Sequence, residues 1–276
     1  MALLGSVVEK RACRPARHRA GGPVSWPVYE RASRQAGRLA VTEAAPFRPG
    51  PFRPEPFRPG PLALIGGGEW DEGCTVDAEL LEWSGGEALV LPTAAAYEHP
   101  ERVVAQAERG LGRLGARVRG LMVLRRPDAL EEANAEAITA SRLVYLAGGS
   151  PLHLRSVLKG SVVWEALVAA WRSGTAVAGS SAGAMVLTDP MVDPRGGAFT
   201  VGLALVEQLA VIPEFGEWSE EKVHRTLALA PRGLAVAGID RETALVRGPD
   251  GAWRVAGAGG VRVFCDGAAS DLGSLP

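Results

Sequence analysis

A serine framed by glycines is the residue in this chain whose type and setting point most directly to chemistry. Ser181 stands at the centre of Gly179-Ser180-Ser181-Ala182-Gly183, after an apolar run that predicts a strand and before a stretch that fits a helix. Strand, Gly-x-Ser-x-Gly turn and helix form a nucleophile elbow, in which a sharp turn exposes the serine hydroxyl. Backbone N–H groups at the start of the helix can stabilise an oxyanion. Ser181 is therefore a candidate nucleophile, and a small-residue turn without chemistry is the alternative.

A serine nucleophile also needs a base, usually histidine, within hydrogen-bond reach. Three histidines are candidates. His224 lies within a helix predicted over residues 219–229, His153 follows the glycine pair at 148–149, and His99 lies at the start of a helix predicted over residues 98–114. An ordinary packed or exposed histidine is the alternative for each of them, so the sequence leaves the choice open.

The base in turn needs a carboxylate that orients it. Asp189 and Asp193 follow the serine by eight and twelve residues, and each precedes a proline, which favours turns and extended loops. Glu69, beside the first glycine-rich turn, is a third candidate. Arg195 could bind a substrate carboxylate in bidentate fashion. Turn-forming aspartates and a solvated loop arginine are the alternatives.

The elements around these residues predict an α/β fold. Apolar runs predict strands over 62–65, 88–92, 118–124 and 143–146, and apolar periodicity predicts helices over 98–114, 128–140 and 162–171. This alternation predicts three layers, a mainly parallel sheet with helices on both faces. Beyond Ser181, short apolar runs separated by glycine turns, with a hairpin at 249–251, predict an antiparallel C-terminal extension.

Three small-residue turns fall at the predicted carboxyl ends of strands. They cover residues 66–68, 147–150 and 179–183. In such sheets the ligand crevice lies outside the carboxyl ends of the strands. Glycine also lets backbone amides approach a ligand closely. We therefore expect the turns to share one pocket, with Gly148 and Ser150 in contact with the substrate.

At this point a resemblance becomes visible. The segment Leu146-Ala147-Gly148-Gly149-Ser150, followed about thirty residues later by residues 178–184, resembles the dipeptidase E and cyanophycinase family of serine peptidases. The resemblance covers roughly residues 61–265 and implies the fold of class I glutamine amidotransferase domains. It also implies that Ser181 is the nucleophile and that the backbone amides of Gly149 and Ala182 form the oxyanion hole. Family members cleave peptide or isopeptide bonds next to acidic residues, without metal or organic cofactor.

One position departs from the family pattern. The resemblance predicts a histidine after a late strand, and this chain has Pro213-Glu214-Phe215 there. A carboxylate is a weaker base than an imidazole unless burial raises its pKa. The candidate catalytic set is therefore Ser181, His224 and Glu214. One alternative is a non-catalytic protein on this scaffold that binds a small molecule or a peptide. Another is a conventional α/β-hydrolase esterase. Such an enzyme usually has its catalytic histidine near the C-terminus, whereas no histidine follows His224 in this chain.

Composition limits the classes of function. The chain has 276 residues, 47% of them hydrophobic, and a formal net charge of −1. No apolar run approaches the roughly 20 residues of a membrane span. Its three cysteines lie far apart, which argues against a cysteine-rich metal site. We expect a cytoplasmic protein that acts on a small peptide or amino-acid-derived substrate, without cofactor, metal, nucleic-acid or membrane partner. The sequence is also compatible with a homodimer.

Residues 1–60 differ from the rest of the chain. They hold Arg-rich stretches and a pentapeptide, Pro-Phe-Arg-Pro-Gly/Glu, that occurs three times over residues 46–60. Such proline density is incompatible with helix and favours extended conformations. We predict a leader without regular structure over 1–60 and a folded domain over 61–276.

Overall fold

The computed structural model describes residues 58–195 and 197–276. The prediction for residues 1–57 lies outside the described residues. The strands are β1 Leu62–Ile65, β2 Glu87–Leu91, β3 Arg117–Gly120, β4 Leu143–Leu146, β5 Ala176–Ser180, β6 Thr188–Asp189, β7 Met191–Val192, β8 Phe199–Thr200, β9 Val206–Glu207, β10 Leu209–Pro213, β11 Ala235–Ile239, β12 Thr243–Arg247, β13 Trp253–Gly257, β14 Val261–Cys265 and β15 Ala268–Ser270. The α-helices are α1 Val76–Ser84, α2 Pro100–Gly112, α3 Glu132–Thr139, α4 Pro151–Leu158, α5 Val162–Arg172, α6 Ala182–Leu187 and α7 Glu220–Ala228. Short 3-10 helices cover Thr93–Ala95, Asp128–Leu130, Phe215–Glu217 and Leu272–Ser274.

The main sheet has seven strands in the order β13-β12-β1-β5-β4-β2-β3. The five strands from β1 to β3 in this order run parallel. The hairpin of β12 and β13 adds two antiparallel strands beside β1. The predicted parallel sheet is therefore confirmed. The hairpin predicted at 249–251 is also present, closed by a hydrogen bond from Gly251 N–H to Gly248 O.

Helices cover both faces of this sheet. Successive strand residues point alternately to the two faces, so each strand contributes to two apolar clusters. Leu62 and Leu64 of β1 belong to one apolar cluster, which includes residues of α3, α4 and α5. Ala63 and Ile65 belong to a second cluster, which includes residues of α1 and α2. The side chains of all four residues are fully buried. The three-layer α/β architecture predicted from the sequence is therefore confirmed.

A second sheet follows the serine turn, in the order β15-β14-β11-β10-β6-β9. Its β11–β14 and β14–β15 pairs are antiparallel, as the sequence predicts, but β10 and β11 pair in parallel. Among the short runs predicted as strands beyond Ser181 is that over residues 199–205, of which only Phe199–Thr200 forms a strand, β8. It ends early because the next residues turn away: Gly202 N–H donates to Asp189 Oδ1 at 2.7 Å, and Leu203 N–H donates to Val186 O at 2.8 Å.

Apart from shifts of one or two residues at helix ends, the helices differ from the prediction in three places. The helix predicted over 128–140 is split into a 3-10 turn and α3, and α1 and α4 were not predicted. The sequence does carry the start signals of α4. Ser150 caps it by accepting a hydrogen bond from His153 N–H, and Pro151 occupies its first position. Among the described residues, no helix combines the length and apolarity that crossing a membrane requires.

The topology brings the predicted site together. Strands β1, β5 and β4 are adjacent and parallel, so their carboxyl ends meet at one edge of the sheet. The turns after these strands are those at residues 66–68, 181–183 and 147–150. The sheet therefore places the three small-residue turns side by side, as the sequence predicts.

Candidate active site

Ser181 sits on a sharp turn between β5 and α6. Its backbone has φ 46° and ψ −106°, a conformation that costs a non-glycine residue on the order of 1–3 kcal/mol. Its N–H donates to Ile65 O at 2.9 Å, and its carbonyl accepts from Met185 N–H at 3.0 Å. The residue is partly exposed and lines a cleft of about 690 Å³. The backbone strain of this turn therefore falls on the candidate nucleophile.

The glycines on either side of this serine are required by close backbone packing. A Cβ atom at Gly179 would lie 2.6 Å from the carbonyl carbon of Gly183. A Cβ atom at Gly183 would overlap the carbonyl oxygen of Leu146. Glycine at both positions lets α6 begin directly against β4 and β5.

The turn after β4 lies against the serine turn. A Cβ atom at Gly148 would be 3.5 Å from the Cβ atom of Ser181. Gly149 has φ 132°, and a Cβ atom there would lie 2.5 Å from Ala94 O. The same carbonyl accepts a hydrogen bond from Ser150 N–H at 2.8 Å. Gly149 is exposed beside the cleft, so its predicted role as an oxyanion donor is compatible with its place.

A carboxylate joins these two turns. Glu69 Oε1 accepts a hydrogen bond from Gly148 N–H at 3.2 Å. Its other oxygen, Oε2, accepts one from the Ser180 hydroxyl at 2.6 Å. Ser180 is fully buried, and Glu69 is partly buried and lines the cleft. Of the three carboxylates considered as the partner of a histidine base, Glu69 therefore lies in the cleft.

Glu214 also lies in the cleft. It follows β10 in a left-handed backbone conformation, with φ 50° and ψ 43°. Its N–H donates to Gly66 O at 2.8 Å, which fixes it beside the first glycine-rich turn. A Cβ atom at Gly67 would lie 3.0 Å from Glu214 Oε1, so this glycine gives the carboxylate its space. The residue that departs from the family pattern is thus in the same cleft as Ser181.

Arg241 is a cleft residue that the sequence analysis missed. Its Nη1 donates to Glu214 Oε1 at 3.1 Å, and its Nη2 and Nε lie 3.9 and 3.7 Å from carboxylate oxygens of Asp71 and Glu217. The arginine lies two residues after the end of β11, which pairs in parallel with β10. Only this pairing brings the residues after β10 and β11 to one edge, and no local sequence signal indicates it.

None of the three histidines in the described part of the chain lines the cleft. His224 is exposed on α7. His153 Nε2 donates to Leu124 O at 2.9 Å, and its ring packs edge-on against Tyr97. His99 is exposed, and its Nδ1 lies 3.2 Å from Glu101 Oε1. These positions give no support to an imidazole base for the serine.

The other side chains predicted for the site form structural hydrogen bonds in loops or at the start of a helix. The Ser150 hydroxyl caps α4. Arg195 is exposed and binds Asp193 through two hydrogen bonds of 2.9 and 2.7 Å. Those hydrogen bonds lower the pKa of Asp193 to about 2. Asp189 accepts from Gly202 N–H. None of these four side chains lines the cleft with Ser181.

A row of polar side chains from α2 forms another wall of the cleft. Arg102, Gln106 and Arg109 line it and are exposed. Residues four and seven positions apart share one helix face. Neither arginine forms a salt bridge within the described part of the chain. These two guanidinium groups, absent from our sequence candidates, can therefore bind an anionic ligand.

A buried polar cluster lies behind the first glycine-rich turn. Asp77 is 2% exposed. It accepts hydrogen bonds from Trp70 N–H at 3.0 Å and from the Tyr145 hydroxyl at 3.2 Å. Burial raises its pKa from 3.8 to about 6, although these hydrogen bonds oppose the rise. Burial, and next the adjacent Asp77, raise the pKa of the Cys74 thiol. Within residues 58–195 and 197–276, no group of three or more His, Cys, Asp or Glu side chains could hold a metal ion.

Comparison with known proteins agrees with this architecture. Residues 62–252 match the model of peptidase family S51. A peptidase from an acI-B1 Actinobacterium is 28% identical in sequence, with a TM-score of 0.70 over 78% of this chain and 94% of that chain. A putative peptidase E protein from Listeria monocytogenes EGD-e shares the fold at 16% identity, with a TM-score of 0.52 over 75% of this chain and 98% of that chain. No curated protein sequence matches. Because the family model covers most of the chain, the resemblance seen in the sequence is confirmed, and the protein belongs to peptidase family S51.

Proposed function

We propose that this peptidase uses Ser181 as its nucleophile. The observation that carries the proposal is the strained backbone of this serine, with φ 46°, at the point where the turns after β1, β4 and β5 converge on one cleft. Strain at a position that faces a cleft is a recurring feature of catalytic residues. The hydroxyl attacks the carbonyl carbon of the scissile bond, which gives an acyl-enzyme once the amine departs. Water then hydrolyses the ester.

The oxyanion would be held by the backbone amides of Gly149 and Ala182. Gly149 is exposed beside the serine turn, and Ala182 is the first residue of α6. The first N–H groups of a helix have no partner within the helix itself. Donors of this kind, fixed in place before the reaction, stabilise developing negative charge without reorganisation.

Glu214 is the side chain that we propose as the base. It occupies the position where the family resemblance predicts histidine, and it lines the cleft with Ser181. Its Oε1 is engaged by Arg241, and we assign proton transfer to Oε2. This oxygen takes the Ser181 proton during attack and returns it to the leaving amine. A carboxylate is ordinarily a weaker base than an imidazole, so we expect slow turnover at neutral pH.

A small peptide with acidic groups is the substrate that the cleft fits best. Arg102 and Arg109 lie two helical turns apart, about 10 Å along α2, and both are exposed at the cleft. Two such cations can each pair with a carboxylate. This supports the acidic substrates that the family resemblance implies.

A second candidate is a peptide-binding protein without catalysis. The Glu214–Arg241 ion pair favours it, because this pair stands where a serine peptidase would carry its base. The same two arginines on α2 would then retain an acidic peptide without cleaving it.

Release of p-nitroaniline from aspartyl p-nitroanilide by the full chain separates these candidates. We expect measurable turnover that disappears in Ser181→Ala. Ser173→Ala, at an exposed position directly after α5, is the matched control and should leave the rate unchanged. Saturable binding of an aspartyl peptide without turnover would favour the binding protein. Turnover that survives in Ser181→Ala would exclude Ser181 as the nucleophile.

A further inference from the structure

The Glu69 carboxylate accepts hydrogen bonds from two residues. Each of them directly precedes a residue that we propose to act in acyl transfer. Gly148, which donates to Oε1, precedes the proposed oxyanion donor Gly149. Ser180, which donates to Oε2, precedes the proposed nucleophile Ser181. One side chain therefore bridges the two turns without occupying either reacting position.

The bridge lies where the sheet no longer holds the two turns together. The ladder between β4 and β5 ends with the pair Leu146 and Gly179. Directly beyond it, the chain turns away on both sides. Gly149 has φ 132°, and Ser181 has φ 46°. The two hydrogen bonds to Glu69 join Ser180, directly after the ladder on β5, to Gly148, two residues after the ladder on the β4 side. The bond to Ser180 is 2.6 Å long, and Ser180 is fully buried.

Glu69 is itself held by its neighbour in the chain. Trp70 has a left-handed backbone, with φ 68°. Its N–H donates to Asp77, and its carbonyl accepts from Arg113 Nη2 at 2.8 Å. Its ring lies 5.3 Å from the ring of Tyr145, a residue of β4. The loop that carries Glu69 is thus fixed to α1, α2 and the sheet, and it can hold the carboxylate in one place.

We infer that Glu69 is a positioning residue that sets the distance between the Ser181 hydroxyl and the Gly149 amide. The inference rests on the proposed function, because it concerns the geometry of that reaction. We assign the serine proton to Glu214 and a purely geometric role to Glu69, whose two oxygens are each engaged by a hydrogen bond, one from Gly148 and one from Ser180.

The test is the rate of covalent labelling by a fluorophosphonate probe, resolved into the maximal inactivation rate and the probe affinity. Attack on phosphorus forms the Ser181 Oγ–P bond and releases fluoride and the serine proton. Glu69→Ala should lower the maximal rate by about 100-fold, as expected for a misplacement of about 1 Å, with the probe affinity nearly unchanged. Glu69→Gln should recover most of the rate. An amide oxygen can accept from Gly148 N–H, while its NH₂ donates to the Ser180 hydroxyl.

Two further variants complete the test. Ser180→Ala removes one arm of the bridge and keeps the carboxylate, so we expect an intermediate loss of about tenfold. This variant decides the question if Glu69→Ala does not fold. Glu72→Gln changes an exposed carboxylate of the same loop and should have no effect.

The outcomes separate this inference from the proposed function. A wild-type chain that is not labelled at Ser181 overturns both. Normal labelling of wild type with an unchanged maximal rate in Glu69→Ala, or in Ser180→Ala, overturns this inference alone. A Glu69→Gln variant as slow as Glu69→Ala also overturns it, because the carboxylate would then act as the base.

Discussion

Replacing Asp77 by asparagine should make the protein more stable at neutral pH. The carboxyl group is buried, and its pKa rises from 3.8 to about 6 in the folded state. At about 1.4 kcal/mol for each pH unit, this rise amounts to about 3 kcal/mol between the protonated and the ionised folded states. Asparagine carries no charge, and it fits the same contacts. Its amide oxygen can accept from Trp70 N–H, and its NH₂ can donate to the Tyr145 hydroxyl.

The sign of the pH dependence follows from proton binding. Between about pH 4 and pH 6, the folded chain keeps the Asp77 proton that the unfolded chain loses. The free energy of unfolding of wild type therefore falls with rising pH over this window, and the loss is complete above it. The difference in unfolding free energy between Asp77→Asn and wild type should rise by about 2 kcal/mol from pH 4 to pH 7, because part of the total of about 3 kcal/mol is already lost at pH 4.

Urea unfolding followed by circular dichroism at pH 4, 5, 6 and 7 measures this difference. Asp128→Asn is a control whose difference from wild type should change little from pH 4 to pH 7, because the backbone N–H groups of Arg125 and Leu124 lower the pKa of Asp128 below its usual value of 3.8. The contribution of Asp128 is present at neutral pH and is lost as pH falls through its lowered pKa. A constant difference between Asp77→Asn and wild type over the whole range would refute the argument that burial dominates at Asp77.

Three further predictions concern the cleft. Glu214→His combined with Arg241→Glu should raise the rate of aspartyl p-nitroanilide hydrolysis by more than Glu214→His alone, because a histidine base needs a carboxylate beside it; equal rates would show that residue 241 does not orient residue 214. Gly149→Ala should lower kcat by about 100-fold and destabilise the fold by about 1–3 kcal/mol, since the new methyl group would meet Ala94 O; normal kcat with a folded chain would exclude the proposed oxyanion turn. Arg109→Gln should raise KM for this anionic substrate severalfold with little change in kcat, whereas Arg172→Gln, on the exposed end of α5, should change neither.

Local sequence signals predict the scaffold of this chain well. The strand bounds of β1 and β4 agree with their apolar runs residue for residue, because buried parallel strands are continuous apolar segments. The close approach of the three turns also follows from the sequence, since parallel strands end at one edge. By contrast, α1 is only nine residues long and has no side-chain capping hydrogen bond at its start, and the sequence does not predict it as a helix.

The positions of the side chains around the serine depend on how distant strands and helices pack together, and the sequence predicts these positions less well. Arg241 reaches Glu214 only because β10 and β11 pair in parallel, and nothing local indicates that pairing. Arg102 and Arg109 are recognisable as one helix face, yet no local signal shows that this face borders the cleft. His224 lies in a helix as predicted, but the exposed face that it occupies depends on how α7 packs.

The central claim is that Ser181 is the reactive hydroxyl of this chain. Labelling the full-length protein with a fluorophosphonate, digesting it and mapping the adduct by mass spectrometry tests that claim most directly. The account predicts a single adduct on the peptide that contains Ser181, with no adduct in Ser181→Ala and normal labelling in Ser173→Ala. An adduct on another residue, or none on a folded wild-type chain, would contradict it.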